Sequence, residues 1–566
     1  MRETPQNMPR LSRLANNKRW TMTMSRSSAF VWAGVILGTI GGLSCAKMNS
    51  HKPRPSTTEP VAQAQVKAAH ASTTAPAPIE TAAAPTTKPA NTIALDLDQA
   101  VAVNLPHAKQ ELTPVWFQTG DGKKGWVTRL PGNRPIATPA YSKTKGLLFV
   151  GGGYGSHEFY AIDAKTGTVA WKHICGDDGP TAAVVSDDEE DIIFNTESCE
   201  MEVVDARTGK QKWKEWLGDP LMSQPAVAKG KIYMAYPGGH PHGVQMVDAK
   251  GRLNDDPVPA PNPGPAKDWG HRLLCSDLKT GKHLWEQDIT ADVVSAPVVE
   301  GDKVFVTCFD GTSFAIDANT GSIFWQKKNA GTSAPLIVQG NLVMTQKFKE
   351  NGKISEGIKR VDVASGAEKD KTILAAGDAK YLKPGAAGNS AFSKSQEYSL
   401  DSSVGFSAQA ITAESPAAQS HLNIGSVAVG WSYQGARAAY ANGQLLNAQG
   451  NALNCVAFAD GATAWRCEAT GKDVAKDVQL FAPPALGEKN LYVCSASGHL
   501  ASLRQADGHA NFVYALKQPM AFQPTLAEGN VYVGTTDGRI ICIQTNDKDA
   551  DGWYAWGGNG SHNKSR

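Results

Sequence analysis

Short runs of alternating apolar and polar residues, broken by glycine turns, fill the chain from about residue 113 to its end. Phe159-Tyr-Ala-Ile162, Thr168-Val-Ala-Trp171, Ser313-Phe-Ala-Ile316 and Ser322-Ile-Phe-Trp325 are examples. Period-two alternation over a few residues predicts half-buried strands. One phrase joins such strands in pairs: Asp, two residues, Thr-Gly, three residues, Trp. It stands at Asp163 to Trp171, Asp205 to Trp213, Asp277 to Trp285 and Asp317 to Trp325. The Asp carboxylate can accept backbone N–H groups two residues on, and Gly takes a positive φ without a Cβ penalty, so the phrase predicts a hairpin turn. The Trp at a fixed distance past the bend offers a large flat ring to a neighbouring sheet.

A second unit precedes each phrase: Pro, a few apolar residues, Gly, then an apolar strand. Pro225, Pro297 and Pro524 open clear copies. Proline is tolerated at the first position of a strand, so it marks where each repeat begins. Repeats open at Pro139, Thr181, Pro225, Pro297, Pro335, Ala439, Pro483 and Pro524. Self-similarity at this spacing predicts a radial array of four-stranded antiparallel sheets: an all-β, eight-bladed propeller, with seven blades the alternative count. In worn copies Asp370 and Phe512 hold the Trp position, whereas Trp465 keeps it. The last repeat lacks the phrase, and a spare copy, Asp121-Gly122 to Trp126, lies upstream. It predicts an N-terminal strand that completes the final blade and removes exposed sheet edges. Gly552 to Trp556 has the same spacing and reads as a capping tail. Trp126, Trp171, Trp213, Trp285, Trp325 and Trp465 are the expected docking residues.

The phrase resembles the tryptophan-docking repeat of the PQQ-like β-propellers, over about residues 121 to 543. That superfamily includes quinoprotein alcohol dehydrogenases and the non-catalytic BamB-type outer-membrane assembly lipoproteins. The enzymatic branch implies PQQ stacked between a Trp and a ring of two adjacent cysteines, a calcium ion on the quinone and an Asp base. No Cys-Cys dipeptide and no Cys-x-x-Cys-His haem site occurs here. No residue carries over as catalytic, so the expectation is a scaffold without a cofactor, with a PQQ- and calcium-dependent dehydrogenase as the alternative.

The front end changes the compartment. Arg19 and Arg26 precede an apolar run from Ala29 to Leu43, shorter than the roughly 20 residues a spanning helix needs. Met22 or Met24 would make a tidier start than Met1. The run ends Gly42-Leu43-Ser44-Cys45, which resembles a lipoprotein processing site with Gly42 at an unusual place; simple cleavage or a retained anchor are the alternatives. Residues 1–45 thus read as an export segment with Cys45 as a lipidation candidate. Residues 46–112, rich in Ala, Pro and Thr, read as a disordered tether, and 113–566 as the propeller. The expected setting is the cell envelope, facing the periplasm, with a membrane contact through the N-terminal anchor and a monomeric head. The 56 basic and 54 acidic residues nearly cancel, and the first 44 residues hold six basics and one acid, leaving 50 against 53 in the rest. No basic footprint for nucleic acid exists.

Of nine cysteines, eight lie in the propeller. Cys455 and Cys467 flank Gly461 at equal distances and would face each other across an antiparallel hairpin, so they are the candidate disulfide. Two insertions interrupt the repeats, at about 238–268 and 371–434. The first carries His240 and His242, with His271 beyond it; these could ligate a metal, though a Pro/Gly-rich surface loop is the plainer reading. The second carries Tyr381, Phe392, Tyr398, Phe406, Trp431 and Tyr433, and could cover the channel or meet a protein or peptide partner. Asp187 to Asp191 reads as a solvated acidic turn.

Overall fold

The computed structural model describes residues 91–565, except 198, 218–222, 238–242, 249, 251, 254–257, 260–270, 330, 351–352, 376–382, 385–433, 435, 473 and 475–477. Each repeat folds into one antiparallel sheet whose four strands run outward in chain order, and eight such sheets form the ring. Blade one comprises Ala140–Ser142, Leu147–Gly151, Glu158–Asp163 and Val169–Ile174. Blades two to seven follow with inner strands at Val184–Val185, Ala226–Ala228, Val298–Glu300, Leu336–Val338, Ala439–Ala441 and Ala485–Leu486. Blade eight takes Thr525–Ala527, Asn530–Gly534 and Arg539–Gln544 from the C-terminal end, and Lys124–Arg129 from the N-terminal end. Cys542 faces Trp126 across that last pairing. The ring is therefore closed by the upstream copy of the phrase.

The strands are short and buried on both faces near the axis because each sheet is covered by its two neighbours. In every intact copy of the phrase the Asp carboxylate accepts its own Thr: Asp163 Oδ1 lies 2.8 Å from Thr166 N, and the same contact is 2.9 Å at Asp205 and Asp277. Each indole then lies on the glycine bend of the next blade. Trp171 Nε1 donates to Ala206 O at 3.2 Å, and a Cβ at Gly209 would collide with its ring. Trp126, Trp213, Trp285, Trp325 and Trp465 donate in the same way to Ala164, Leu278, Ala318, Val363 and Gln505. Where blade five lacks the Trp, Arg360 takes its place. Asp370 holds the guanidinium, Nε to Oδ1 2.6 Å, and its NH1 donates to Phe458 O, the carbonyl an indole would meet. At the next worn copy Phe512 stacks on Tyr514 at 4.5 Å.

The tether shortens by its last 22 residues. Residues 91–112, expected to be disordered, run along the rim instead. Thr92–Asp96 adds to blade six as a parallel fifth strand and Val101–Ala102 adds to blade seven. Val115–Gln118 then caps blade eight. The reason is local: Ile93, Leu95, Leu97 and Val103 interrupt the Ala/Pro/Thr composition with side chains that reach the core. Residues 1–90, with Cys45, lie outside the described residues. The first insertion is partly built into a neighbour: Gly243–Met246 pairs with the outer strand of blade two.

Candidate functional site

Three places gather the chemistry that the repeat does not need: the axis, the rim, and a polar cluster that begins between blades one and two and continues to blade three.

The chain's own C-terminal segment fills the axis. After Gln544 it turns inward, and its backbone meets inner strands around the ring. Tyr141 N donates to Tyr554 O, Leu526 N to Trp553 O, Val227 N to Gly560 O and Val299 N to Ser561 O, at 2.7 to 3.0 Å. Ile337 N donates to Asn563 Oδ1 at 2.8 Å. Inner strands of blades one, three, four, five and eight are thus joined to one segment. Trp553 and Trp556 are buried. Gln523 binds the segment twice through its Oε1, to Trp553 Nε1 at 3.0 Å and Gly557 N at 2.9 Å. Gln434, at the end of the second insertion, completes the network with Thr138 Oγ1 and Gln523 N. Arg437 is buried there too, its guanidinium over the Trp556 ring and bonded to Pro335 O. Burial pulls it down to about 9, so it is cationic at neutral pH with carbonyls as its hydrogen-bond acceptors. His562 has carbonyls against both ring nitrogens, yet burial pulls it down to about 4. The tail expected to cap the ring is its plug.

Apolar side chains exposed among the described residues gather at the rim. Val101, Trp116, Ile174, Trp216, Leu284, Ile323 and Phe324 are the large ones, and all seven stand on a fourth or fifth strand. Blades six, seven and eight have their outer edges covered by the N-terminal segment, and blade two by Gly243–Met246. Among the described residues, blades one, three, four and five end on their fourth strands, whose outward N–H and C=O groups form open edges. In blade four that edge is Ile323–Lys328, with Phe324 51% exposed and Lys327 and Lys328 outward beside it.

The polar cluster was not foreseen. His173 and Cys175 stand two apart at the end of blade one's outer strand, and Glu200 and Glu202 two apart on the third strand of blade two. His173 Nε2 lies 2.7 Å from Glu202 Oε2, Gln211 Nε2 donates to the same oxygen at 2.8 Å, and Gly176 N donates to Oε1 at 3.2 Å. Lys214 Nζ pairs with Glu200 Oε2 at 2.8 Å. Burial and the neighbouring Glu202 push Glu200 above the ordinary carboxylate range, and burial among these carboxylates pushes the Cys175 thiol well up. His173, Cys175 and Glu202 offer ligand atoms that all lie within 4.8 Å of one another. Further round, His283 sits between Glu215 and Glu286, its nitrogens 2.8 and 2.9 Å from them. Burial opposes its charge, but the two carboxylates outweigh it and raise the imidazole to about 9. The missed signal was two same-face pairs, His-x-Cys and Glu-x-Glu, at strand spacing.

Other expectations shift. Cys455 does not face Cys467. The hairpin closes between Ala457 and Ala462, so its centre lies ahead of Gly461, and Cys455 stands opposite Trp465 and Cys467 opposite Leu453. All eight propeller cysteines are buried free thiols. His271 binds Asp292 at 2.8 Å, while His240 and His242 lie outside the described residues. So do Tyr381, Phe392, Tyr398, Phe406, Trp431 and Tyr433. The acidic turn is more than solvated: Asp191 is buried and takes Lys212 and Lys279, while Glu189 accepts Ser142 of blade one.

Comparison with known proteins gives three findings. The family described as outer membrane protein assembly factor BamB matches residues 115–264, 267–380 and 448–557. The quinoprotein ethanol dehydrogenase of Pseudomonas aeruginosa is 39% identical over 84 residues, 12% of this chain and 14% of that protein. Quinohemoprotein alcohol dehydrogenase ADH IIB of Pseudomonas putida is 30% identical over 99 residues, 14% of each chain. The chain thus spans 14% of the length of the curated relatives it matches. The crystal structure of BamB from Moraxella catarrhalis is similar in fold, with 14% identity and a TM-score of 0.42 over 76% of this chain and 98% of that one.

Proposed function

The chain belongs to the family of the outer membrane protein assembly factor BamB, and from that premise we propose that it is an exported, membrane-tethered, non-catalytic scaffold that grips an extended segment of a partner protein at its rim. Assembly of outer-membrane or other cell-envelope proteins is the setting this reading assigns. Residues 1–45 act as the export and anchoring segment, with Cys45 as the lipid-bearing residue, and residues 46–90 serve as the tether.

One observation carries the reading: exposed apolar side chains gather on the rim, beside open strand edges. An extended peptide adds to such an edge through main-chain hydrogen bonds, with alternate side chains giving specificity. This chain already does so to itself, since Thr92–Asp96 and Val101–Ala102 add in parallel to two rims. Blade four presents Ile323 and Phe324 followed by Lys327 and Lys328. The fitting segment is apolar and then acidic. The plugged axis supports a stiff ring that works from its edge.

A second reading, a PQQ- and calcium-dependent dehydrogenase of alcohols or sugars, draws on the two local matches to alcohol dehydrogenases. The residues present do not fit the quinone pocket that the resemblance implies, because no two cysteines are adjacent and the eight in the propeller are separate buried thiols. Affinity capture from solubilised envelope membranes separates the readings. The tethered wild type and a variant with a charged turn, Lys165→Asp, retain the same partner, and Ile323→Asp/Phe324→Asp loses it. Dye reduction by the purified exported chain with added quinone and Ca²⁺ would instead establish the dehydrogenase.

A further inference from the structure

We propose that His173, Cys175 and Glu202 form a binding site for one divalent transition-metal ion of the zinc class, which ties the outer strand of blade one to blade two. The two elements place the donors. His173 lies on the strand Val169–Ile174, which leaves Cys175 just past its end on the same side. Glu202 lies on Glu200–Asp205 of the next blade. All three ligand atoms fall within 4.8 Å of one another. Bond lengths of about 2.0–2.3 Å put tetrahedral zinc ligands roughly 3.3–3.8 Å apart, so a side-chain adjustment of about 1 Å completes the coordination.

The surroundings suit an ion better than they suit the apolar packing of a propeller junction. Gly176 N holds Oε1 of the Glu202 carboxylate and Gln211 Nε2 holds the Oε2 that His173 approaches, the outer support that metal ligands require. The Cys175 backbone is fixed by a bond to His157 O at 2.8 Å. Beside the cluster, Glu200 Oε1 is buried without a hydrogen-bond partner, and a Cβ at Gly176 would collide with it. That oxygen is a separate sign that the pocket lacks a positive group, because an unsatisfied buried carboxylate oxygen is costly. Lys214 neutralises only one of the two carboxylates. A divalent ion that displaces the thiol proton to solvent leaves thiolate, two carboxylates, ammonium and ion neutral as a set. The mixed N, S and O donors select a borderline ion such as Zn²⁺ over Ca²⁺ or Mg²⁺, which take oxygen. The fourth position is left for water.

The test uses the tag-free exported chain, reduced with a non-chelating thiol-free reductant, loaded with Zn²⁺ or Co²⁺ and desalted. The expected result is one ion per chain, a thiolate-to-Co²⁺ absorption band, and a higher thermal midpoint with metal. Cys175→Ser abolishes the band and the midpoint shift, Glu202→Gln weakens binding at least tenfold, and Cys308→Ser changes neither. His173→Gln repeats the comparison if Cys175→Ser fails to fold by circular dichroism. No retained ion in the wild type, or equal retention by the wild type and Cys175→Ser, overturns the site.

Discussion

Trp213→Ala is the sharpest probe of how the ring holds together, because a second tryptophan three residues on serves as its control. Trp213 is fully buried, its Nε1 donates to Leu278 O at 2.9 Å, and its ring lies against Gly281 of the next blade. Truncating such a side chain costs about 3–5 kcal/mol through lost burial and the cavity left behind. The stranded Leu278 carbonyl belongs to the same loss. Trp216, on the same strand, is 41% exposed. Its removal is expected to cost less, about 1–2 kcal/mol, because its ring is only partly covered and leaves no closed cavity. Urea unfolding followed by circular dichroism reads both. With a slope of about 3 kcal/mol/M or somewhat more for a chain of this size, Trp213→Ala lowers the midpoint by roughly 1 M. Trp216→Ala lowers it by no more than about half as much. Equal shifts in the two variants would refute the idea that the indole-on-glycine contact joins the blades.

Gly209→Ala is expected to destabilise far more than Gly301→Ala. Both have positive φ, which costs about 1 kcal/mol for Ala, but only at Gly209 would the new Cβ strike an indole, that of Trp171; thermal midpoints compare them. Truncation after Asp551 removes, among others, the five bonds that backbone N–H groups of five inner strands donate to the segment. At about 1 kcal/mol each this is roughly 5 kcal/mol, visible as an earlier unfolding transition and faster proteolysis at the inner strands. His283 is raised above its ordinary value by Glu215 and Glu286, so its contribution is complete below about pH 6.5 and is lost as pH rises through about 9. The wild-type thermal midpoint should fall across that window, and His283→Gln should flatten the fall.

The repeat was legible in the sequence because its chemistry is local. An Asp-x-x-Thr-Gly bend and a Trp four residues on specify turn, strand and docking partner without reference to distant residues, and Gly122 with Trp126 revealed the closing strand in the same way. Residues 91–112 were misread because composition was averaged over the segment, which hides the few apolar positions, Leu95 and Leu97 among them, that dock on the rim. The cysteine pair failed for a different reason. Equal spacing about Gly461 takes the glycine as the centre of the hairpin, but the turn closes between Ala457 and Ala462, so the ladder is centred ahead of it and Cys455 pairs with Trp465. The plug and the His173–Cys175–Glu202 cluster depend on tertiary placement. Nothing in Gly552 to Asn563 announces that it will meet inner strands from five blades, and Glu202 joins His173 only once two repeats stand side by side.

A scaffold of this kind holds its partner at the rim. A photo-crosslinking residue placed at 324 on the open edge of blade four, and at 165 in a turn between strands, tests this in living cells. An adduct is expected from position 324 to an extended apolar-then-acidic segment of one envelope protein, and none from 165. Adducts from 165 with none from 324 would place the partner away from the rim.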